Sequence, residues 1–473
     1  MGTSSSDKTS GEHHEVQDAE NFDDPKAQNN YVDDYVPDTP EERALVRKID
    51  LYILPTMWLM YLLSYMDRTN IGNAKIGGME EDLGLDSNKY SISLVVFFIG
   101  YVLWEVPSNM ILARTKPSIF LPAIMFLWGC ATIGMAFINT YEALVGLRVL
   151  IGLLESGFAP GMLLLLSSWY KPEEQARRFG VYISAAILSG AFGGLIAGSI
   201  TKNLNGAHGL AGWRWLFIVE GAATAGWSLI ASLFLMDFPA NTKRLSERER
   251  ALAIRRLRAA NARVETEDTP KLSHFQALKV ALTNWRLWLF VVGYMAVVGS
   301  STLSYFYPTL VAGLGYSTVV AQYMTIPIYV ASFIVTMIVV VFMDKYPKWR
   351  GLVLACCMGV SCLCAIITCA VYNFHGRYAL LVVMASGLWA SNGLSLAYAS
   401  STFSTMSAEV RGISLAFVNA MGNLAQIYGS YLFPSKDSPK YLMGFGVISG
   451  LCFTGVASYF ALYIFLRRYP QRN

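Results

Sequence analysis

Twelve blocks of about 20 mainly apolar residues follow one another along this chain. A helical block of that length spans a hydrocarbon core of about 30 Å, because an α-helix rises about 1.5 Å per residue. We therefore expect an all-α membrane protein with twelve transmembrane helices. The blocks cover roughly residues 50–70, 90–112, 117–137, 141–165, 178–201, 213–236, 286–308, 318–343, 351–373, 378–403, 412–433 and 441–466.

The composition supports this class and argues against an enzyme. Charged residues are only 15% of the 473, hydrophobic residues are 54% and the mean hydropathy is +0.40. An ordinary soluble chain is about 25% charged. No polar stretch is long enough for a separate catalytic domain. The sequence also has no histidine cluster, nucleophile motif or phosphate-binding loop.

Histidine and cysteine positions predict no metal site, no cofactor and no disulfide. The five histidines lie in tails, in loops or at span ends, and all seven cysteines lie inside predicted spans without metal-ligand spacing. We expect the partners to be the lipid bilayer and small solutes, with no nucleic acid among them.

The distribution of charge predicts the orientation in the membrane. Residues 1–42 carry a net charge of −10 and few apolar residues, which is typical of a disordered tail and not of a cleavable signal. Elsewhere, 25 lysines and arginines fall on one side of the predicted spans and eight on the other. The positive-inside rule places the richer side, with both termini and the long central loop, in the cytosol.

The central loop divides the chain into two halves. We expect an acidic cytosolic tail over 1–48, a six-helix bundle over 49–236, a basic linker over 237–285, a second six-helix bundle over 286–466 and a short tail over 467–473. Ser246 and Glu249 form a capping-box pattern that predicts a linker helix up to about Asn261. Its arginines, including Arg256, would face lipid headgroups, or the linker is simply solvated. Transporters built from parallel repeats have this arrangement, with a substrate site between the halves.

Four ionisable residues lie inside apolar blocks of the first half. Asp67 and Arg68 are in the first block, and Arg148 and Glu155 are in the fourth, whereas the second half has essentially no charge in its blocks. A charge at membrane depth costs at least about 2.5–3.5 kcal/mol, so such residues are seldom idle. Asp67 and Arg68 should sit near the outer end of their span on different faces. Arg148 and Glu155 are two turns apart and share a face.

These four residues predict a site that couples an anion to a proton. With both acids ionised their charges sum to zero. An anionic substrate that pairs with an arginine leaves an acid without its partner in a low-dielectric site, and that acid then binds a proton more readily. Two alternatives stay open: the four residues form a buried network that only holds the helices in register, or Asp67 and Arg68 are exposed at the outer interface.

Other polar residues of the first half lie outside this group of four. Glu105 lies near Arg114 at the cytosolic end of the second span, where a gate or a structural ion pair is expected. Glu220 in the sixth span has no assigned role. A stripe of small residues in the fifth span predicts a close helix contact, either static or between moving halves. It consists of Ala186, Gly190, Gly194 and Gly198.

The second half offers polar, uncharged groups to the same cleft. Tyr305 lies in the seventh span, Asn392 in the tenth, and Asn419 and Asn423 share a face of the eleventh. An amide in lipid must face the bundle or a cavity. Substrate contact and interhelical hydrogen bonding are both open.

In this order, these residues resemble the major facilitator superfamily, and within it the anion:cation symporter branch, near the fungal allantoate-permease-like group. The likeness runs from about residue 43 to 466. The matching segments are Tyr65–Ala74, Glu105–Asn109, Arg148 with Glu155, Gly157, Pro160 and Gly161, Ser189–Gly194, Gly212–Gly221 and Pro434–Tyr441.

The resemblance implies a fold of two six-helix bundles and transport of small organic anions such as ureido acids, carboxylate vitamins, sialic acid and sugar acids. It implies proton coupling at Asp67 and Glu155 and anion contact at Arg68. It also implies that Arg148 supports the glutamate and that Tyr101 contacts substrate.

The resulting expectation is proton-coupled symport of a small organic anion across the fungal plasma membrane by a monomer. Export of a carboxylated secondary metabolite by the same fold is a close alternative, because gradients set the direction. A nutrient sensor that does not transport is the alternative from another class.

Overall fold

The computed structural model describes residues 36–262, 274–403, 406 and 408–468, and these are helical with short connections. The expected acidic tail lies largely outside the described residues. The apolar blocks of the first half form α1 Pro40–Asp82, α2 Ser87–Arg114, α3 Pro117–Met135, α4 Tyr141–Trp169, α5 Pro172–Asn203 and α6 Gly212–Phe234. The linker contains α7 Glu247–Ala262 and α8 His274–Thr283. The apolar blocks of the second half form α9 Trp285–Gly313, α10 Thr318–Met343, α11 Pro347–Ala370, α12 Phe374–Thr402, α13 Ala408–Gly429 and α14 Leu442–Arg468.

Eleven helices of this described part are long and apolar enough to cross a membrane. Helix α13 has comparable length, but Asn419, Asn423 and Gln426 make it more polar. The all-α transmembrane fold expected from the apolar blocks is therefore confirmed.

Helix α1 is longer than its apolar block, and this corrects one expectation. It continues through a π-helical turn, Lys75–Met79, to Asp82. Arg68 therefore lies about 20 Å from the end of the helix, at 1.5 Å per residue. Asp67 and Arg68 are only 6% and 7% exposed. The prediction that they sit near the outer end of the span is wrong, because the helix continues beyond residue 70 and residues 71–75 are buried inside the protein.

The two halves repeat one packing pattern. In the first half α1 packs on α5 and α6, α2 on α4, and α3 on α6. In the second half α9 packs on α13 and α14, α10 on α12, and α11 on α14. Each contact of the first half thus has its counterpart six spans later, which is the arrangement of two repeated six-helix bundles.

The stripe of small residues on α5 forms part of the contact between the halves. Gly190 faces Tyr329, Gly194 faces Thr325 and Gln322, and Gly198 faces Tyr323, all of them on α10 of the second bundle. A Cβ atom at Gly194 would lie 2.8 Å from the carbonyl oxygen of Gln322. The absence of side chains allows the two helices to approach this closely.

The halves also meet through hydrogen bonds at the end of the bundle opposite to Pro40 and Arg468, which we call the far end. The Gln322 amide donates to the carbonyl oxygen of Asn73 at 3.4 Å, and the backbone N–H of Ser435 donates to Ser87 Oγ at 2.7 Å. These contacts join the first bundle to the second across the far end of the cleft.

The linker helix α7 begins with the expected capping box but packs differently from expectation. Glu249 N–H donates to Ser246 Oγ, and Ser246 N–H donates to the Glu249 carboxylate. Arg256 is fully buried, where it pairs with Glu42 and Glu174 and donates to the carbonyl oxygen of Trp169. The prediction that Arg256 faces lipid headgroups is therefore wrong, because two acids of the first bundle bind it.

The glycine contact between α5 and α10 leads to the first test. Gly194→Val should lower the free energy of unfolding by about 1–3 kcal/mol, because the added atoms overlap the Gln322 backbone. Thermal unfolding of the purified full-length protein measures this. Gly226→Val on α6 is the matched control, since a Cβ there meets no atom within 4 Å. Equal melting temperatures for the two variants would contradict the close contact.

Candidate functional site

The centre of the candidate site is a buried ion pair between α1 and α4. Arg68 Nε lies 2.7 Å from Glu155 Oε1, and the two side chains are 8% and 1% exposed. Ser64, one helical turn before Arg68, donates a short hydrogen bond to the same carboxylate oxygen. The pair joins two helices of the first bundle and brings two of the four ionisable residues into direct contact.

Aromatic rings surround the Arg68 guanidinium. Its carbon lies 5.2 Å from the ring centre of Tyr65, 5.6 Å from that of Phe97 and 4.8 Å from that of Tyr101. The negative faces of such rings attract a cation, and rings exclude water from it. Tyr101 therefore lies beside Arg68, and its contact with substrate stays a prediction.

Arg148 lies against α2, and its implied role in supporting Glu155 stays a prediction. Its Nε donates to the carbonyl oxygen of Ser93 at 3.1 Å, and its guanidinium lies 4.7 Å from the Phe97 ring centre. Glu155 instead takes Arg68 as its ion-pair partner. Arg148 and Arg68 share the Phe97 ring, so both cations border the same small region.

Asp67 faces away from the ion pair, toward α3 and α6. Its Oδ2 accepts hydrogen bonds from Trp128 Nε1 at 3.2 Å and from Thr224 Oγ1 at 3.0 Å. Adjacent residues of a helix point in different directions. The structure therefore separates the predicted acid pair, since Asp67 lies on one side of α1 and Glu155 faces the other.

The second bundle contributes a chain of polar groups to the region near Arg68. Tyr305 donates to Gln426 Oε1 at 3.0 Å, and the Gln426 amide donates to Asn423 Oδ1 at 3.3 Å. Asn419, one turn before Asn423, is half-buried. Tyr294 donates to Asn392 at 3.4 Å.

Aromatic contacts connect the two bundles at this level. The Tyr305 ring centre lies 6.0 Å from that of Phe98, and Trp389 lies 6.4 Å from Tyr65. Tyr65 is also one of the rings beside Arg68. The Arg68 site therefore lies where first-bundle and second-bundle side chains meet.

The proposed gate residues lie apart from this centre. Glu105 is half-buried, and its carbonyl oxygen accepts a hydrogen bond from the Asn109 amide. Arg114 is exposed in the last turn of α2. Among the ion pairs of the described ranges, none joins these two side chains. A gating role for them stays a prediction.

Sequence reasoning did not single out several residues that hold the site. Four residues each form a hydrogen bond with one of the charged side chains: Ser64, Ser93, Trp128 and Thr224. Ser64 could have been found, because it lies four residues before Arg68 and so on the same helix face. The partners on other helices leave no such trace in the sequence.

Each side chain of the ion pair has one polar atom that makes no hydrogen bond to the described residues. Arg68 Nη2 and Glu155 Oε2 are buried and have no hydrogen-bond partner among the described residues. A guanidinium can bind a carboxylate through two parallel N–H bonds. A carboxylate that enters beside Tyr101 would therefore compete with Glu155 for Arg68.

Comparison with known proteins agrees with this architecture. The profile of the Major Facilitator Superfamily matches residues 57–430. The chain is 36% identical over 424 residues to the MFS transporter prlL of Fungal sp. (strain NRRL 50135), covering 87% of this chain and 84% of the relative. It is 31% identical over 450 residues to the major facilitator-type transporter hxnP of Emericella nidulans, covering 92% and 88%. The chain belongs to the major facilitator superfamily.

Solved structures show the same fold at low sequence identity. The inward-facing, unoccupied bacterial homologue of the human lysosomal transporter Spinster has a TM-score of 0.64 and 15% identity, over 88% of this chain and 96% of that one. The partially occluded inward-open xylose transporter XylE from E. coli has a TM-score of 0.64 and 15% identity, over 89% and 98%.

Removing one member of the buried pair tests its energetic importance. Arg68→Met should lower the free energy of unfolding by about 3–5 kcal/mol, because Glu155 remains as an uncompensated charge. The double variant Arg68→Met/Glu155→Gln should recover much of that loss. Thermal unfolding of the wild-type, single and double variants measures the difference. Additive effects in this double-mutant cycle would show that the two side chains do not interact.

Proposed function

We propose that this protein is a secondary active transporter that carries a small organic anion together with a proton by alternating access. The observation that carries the proposal is the buried Arg68–Glu155 pair. Where the bundles meet, one guanidinium nitrogen and one carboxylate oxygen of this pair have no hydrogen-bond partner among the described residues. Family membership supports transport, and the chemistry of the pair favours an anionic substrate.

The coupling follows from charge balance. Before substrate enters, Glu155 neutralises Arg68. An anion that binds Arg68 leaves Glu155 ionised and unpaired in a buried position, which is unfavourable unless it binds a proton. Protonated Glu155 then releases Arg68 to the substrate. Anion and proton thus bind together, and loss of either one favours release of the other.

The remaining groups have roles that follow from their positions. Arg148 adds a second positive charge near the substrate, and Tyr101 contacts it beside Arg68. The second bundle offers neutral hydrogen-bonding groups to the substrate, on Tyr305, Asn392, Asn419 and Asn423. Asp67 is the second proton-binding acid. Glu105 and Arg114 form a gate near the end that holds the chain termini.

We place the protein in the plasma membrane as a monomer, with both termini cytosolic. The excess of lysine and arginine on the side of the termini supports this orientation. Protease accessibility of the tail in intact cells tests the orientation, and light scattering of the purified protein tests the oligomeric state.

The experiment that tests the function uses purified protein in liposomes. The panel of radiolabelled anions comprises allantoate, biotin, sialic acid and galactonate, with xylose as an uncharged solute. An acidic exterior should drive accumulation of one of the anions, and a protonophore should abolish it. Accumulation of xylose and of no anion would contradict the proposed substrate class. Movement of an anion that does not respond to the pH gradient would contradict coupling.

Glu155→Gln separates exchange from coupling. The glutamine retains a hydrogen-bond acceptor for Arg68 but cannot bind the coupled proton. Exchange of internal for external anion should persist, while accumulation driven by the pH gradient should fall to the background of empty liposomes. Retained accumulation would exclude Glu155 as a coupling residue.

Arg68→Lys tests anion contact. Lysine keeps the charge but loses the planar fork, so anion affinity should fall roughly ten-fold, the loss of one charge-assisted hydrogen bond. Concentration dependence of exchange provides the measurement. Arg177→Lys, at an exposed position of α5, is the matched control. Unchanged affinity in Arg68→Lys would remove this residue from the site.

A further inference from the structure

Glu220 on α6 is a buried acid that the proposed substrate site does not use. It is 1% exposed, and neither carboxylate oxygen has a hydrogen-bond partner among the described residues. A carboxyl group in this environment requires a counter-charge, a hydrogen-bond donor or a proton.

The packing of α6 against α1 and α3 places Glu220 on the face of α6 that contacts Asp67. Thr224, one turn after Glu220 on the same face, donates to Asp67 Oδ2 at 3.0 Å. A Cβ at Gly221 would lie 2.8 Å from Ile133 N, and one at Gly129 would lie 2.8 Å from Ala225 N, so the helices cross in close contact here. Glu220 therefore lies about one helical turn from the side chain that binds Asp67.

A second polar atom at this crossing also lacks a partner. Thr132 lies on α3 one turn after Trp128, is 2% exposed, and its hydroxyl has no hydrogen-bond partner in the described part of the chain. The Oδ1 atom of Asp67 is likewise buried and unpartnered. The enclosed region between α1, α3 and α6 therefore contains more hydrogen-bond acceptors than donors.

The cations of the surrounding helices are directed elsewhere. Arg68 pairs with Glu155. Lys75 on α1 lies 3.9 Å from Glu80 and 4.5 Å from the Tyr90 ring centre. Arg214 on α6 donates to the carbonyl oxygens of Ala136 and Ile138.

The sequence of the neighbouring helices supplies no other counter-charge at this depth. Helix α3 has no charged residue, and the charged residues of α5 lie only toward its ends. A proton is therefore the remaining means of neutralising Glu220.

We propose that Asp67 and Glu220 form an acid pair that holds one proton. Glu220 carries the proton and donates it as a hydrogen bond to Asp67 Oδ1, while Asp67 stays ionised because Trp128 and Thr224 donate to its other oxygen. The protonated carboxyl supplies a hydrogen-bond donor for Asp67 Oδ1, which has no other partner among the described residues.

The pair can also take up a second proton, on Asp67. Asp67 then becomes neutral, and the positive charge of the adjacent Arg68 is less compensated, which favours an incoming anion. This last step rests on the proposed function; the protonation of Glu220 does not. The acid pair is thus a proton store on the face of α1 away from the substrate.

Infrared spectroscopy of the full-length protein without substrate tests the pair. At neutral pH, Glu220→Gln should remove the carbonyl band of one protonated carboxylic acid. Glu142→Gln, at an exposed position in the first turn of α4, should instead remove the bands of one ionised carboxylate. Loss of a carboxylate signal in Glu220→Gln, as in this control, would overturn the proposal.

Further variants keep the test decisive. If Glu220→Gln does not fold, Glu220→Asp should shift the protonated band, and an unmoved band would refute the assignment. Asp67→Asn should remove an ionised carboxylate at neutral pH and abolish one protonation step on acidification; retention of both signals would refute the pair. A failure of anion symport would appear in the liposome assay and leave these spectra unchanged.

Discussion

A positive charge inside a membrane requires a partner, and in this protein the partner of Arg68 is Glu155 on another helix of the first bundle. The Arg68–Glu155 contact joins α1 to α4, and Ser64, Tyr65 and Tyr101 complete its surroundings. Both charges are removed from water, so each depends strongly on the other. A solute that alters this pair therefore acts on the whole contact between the two helices.

Helix α1 makes different contacts on its two sides. Arg68 faces α4 and the aromatic groups near the second bundle, whereas Asp67 faces α3 and α6. Because the two residues are adjacent, a change of charge on one alters the electrostatic environment of the other without any rearrangement of the helix. The proposed substrate region and the proposed proton store can therefore be coupled while they remain physically separate.

The contact between the bundles combines close packing with few strong bonds. Glycines of α5 lie against α10, and the hydrogen bonds at the far end involve neutral groups such as Asn73, Gln322 and Ser435. Neutral hydrogen bonds contribute only about 0.5–1.5 kcal/mol each. Such an interface can separate and re-form, whereas the Arg68–Glu155 ion pair lies within the first bundle.

The sequence alone determined the class of fold, the buried ionisable residues and the contact surface of α5, because apolar length, charge in apolar segments and glycine spacing are local properties of the chain. Only the tertiary structure decided that Glu155 pairs with Arg68 and not with Arg148, that Arg256 is buried against Glu42 and Glu174, and that Glu220 lies on the face of α6 whose Thr224 binds Asp67. These outcomes depend on which helices pack together, and a buried charge takes whichever partner that packing brings within reach.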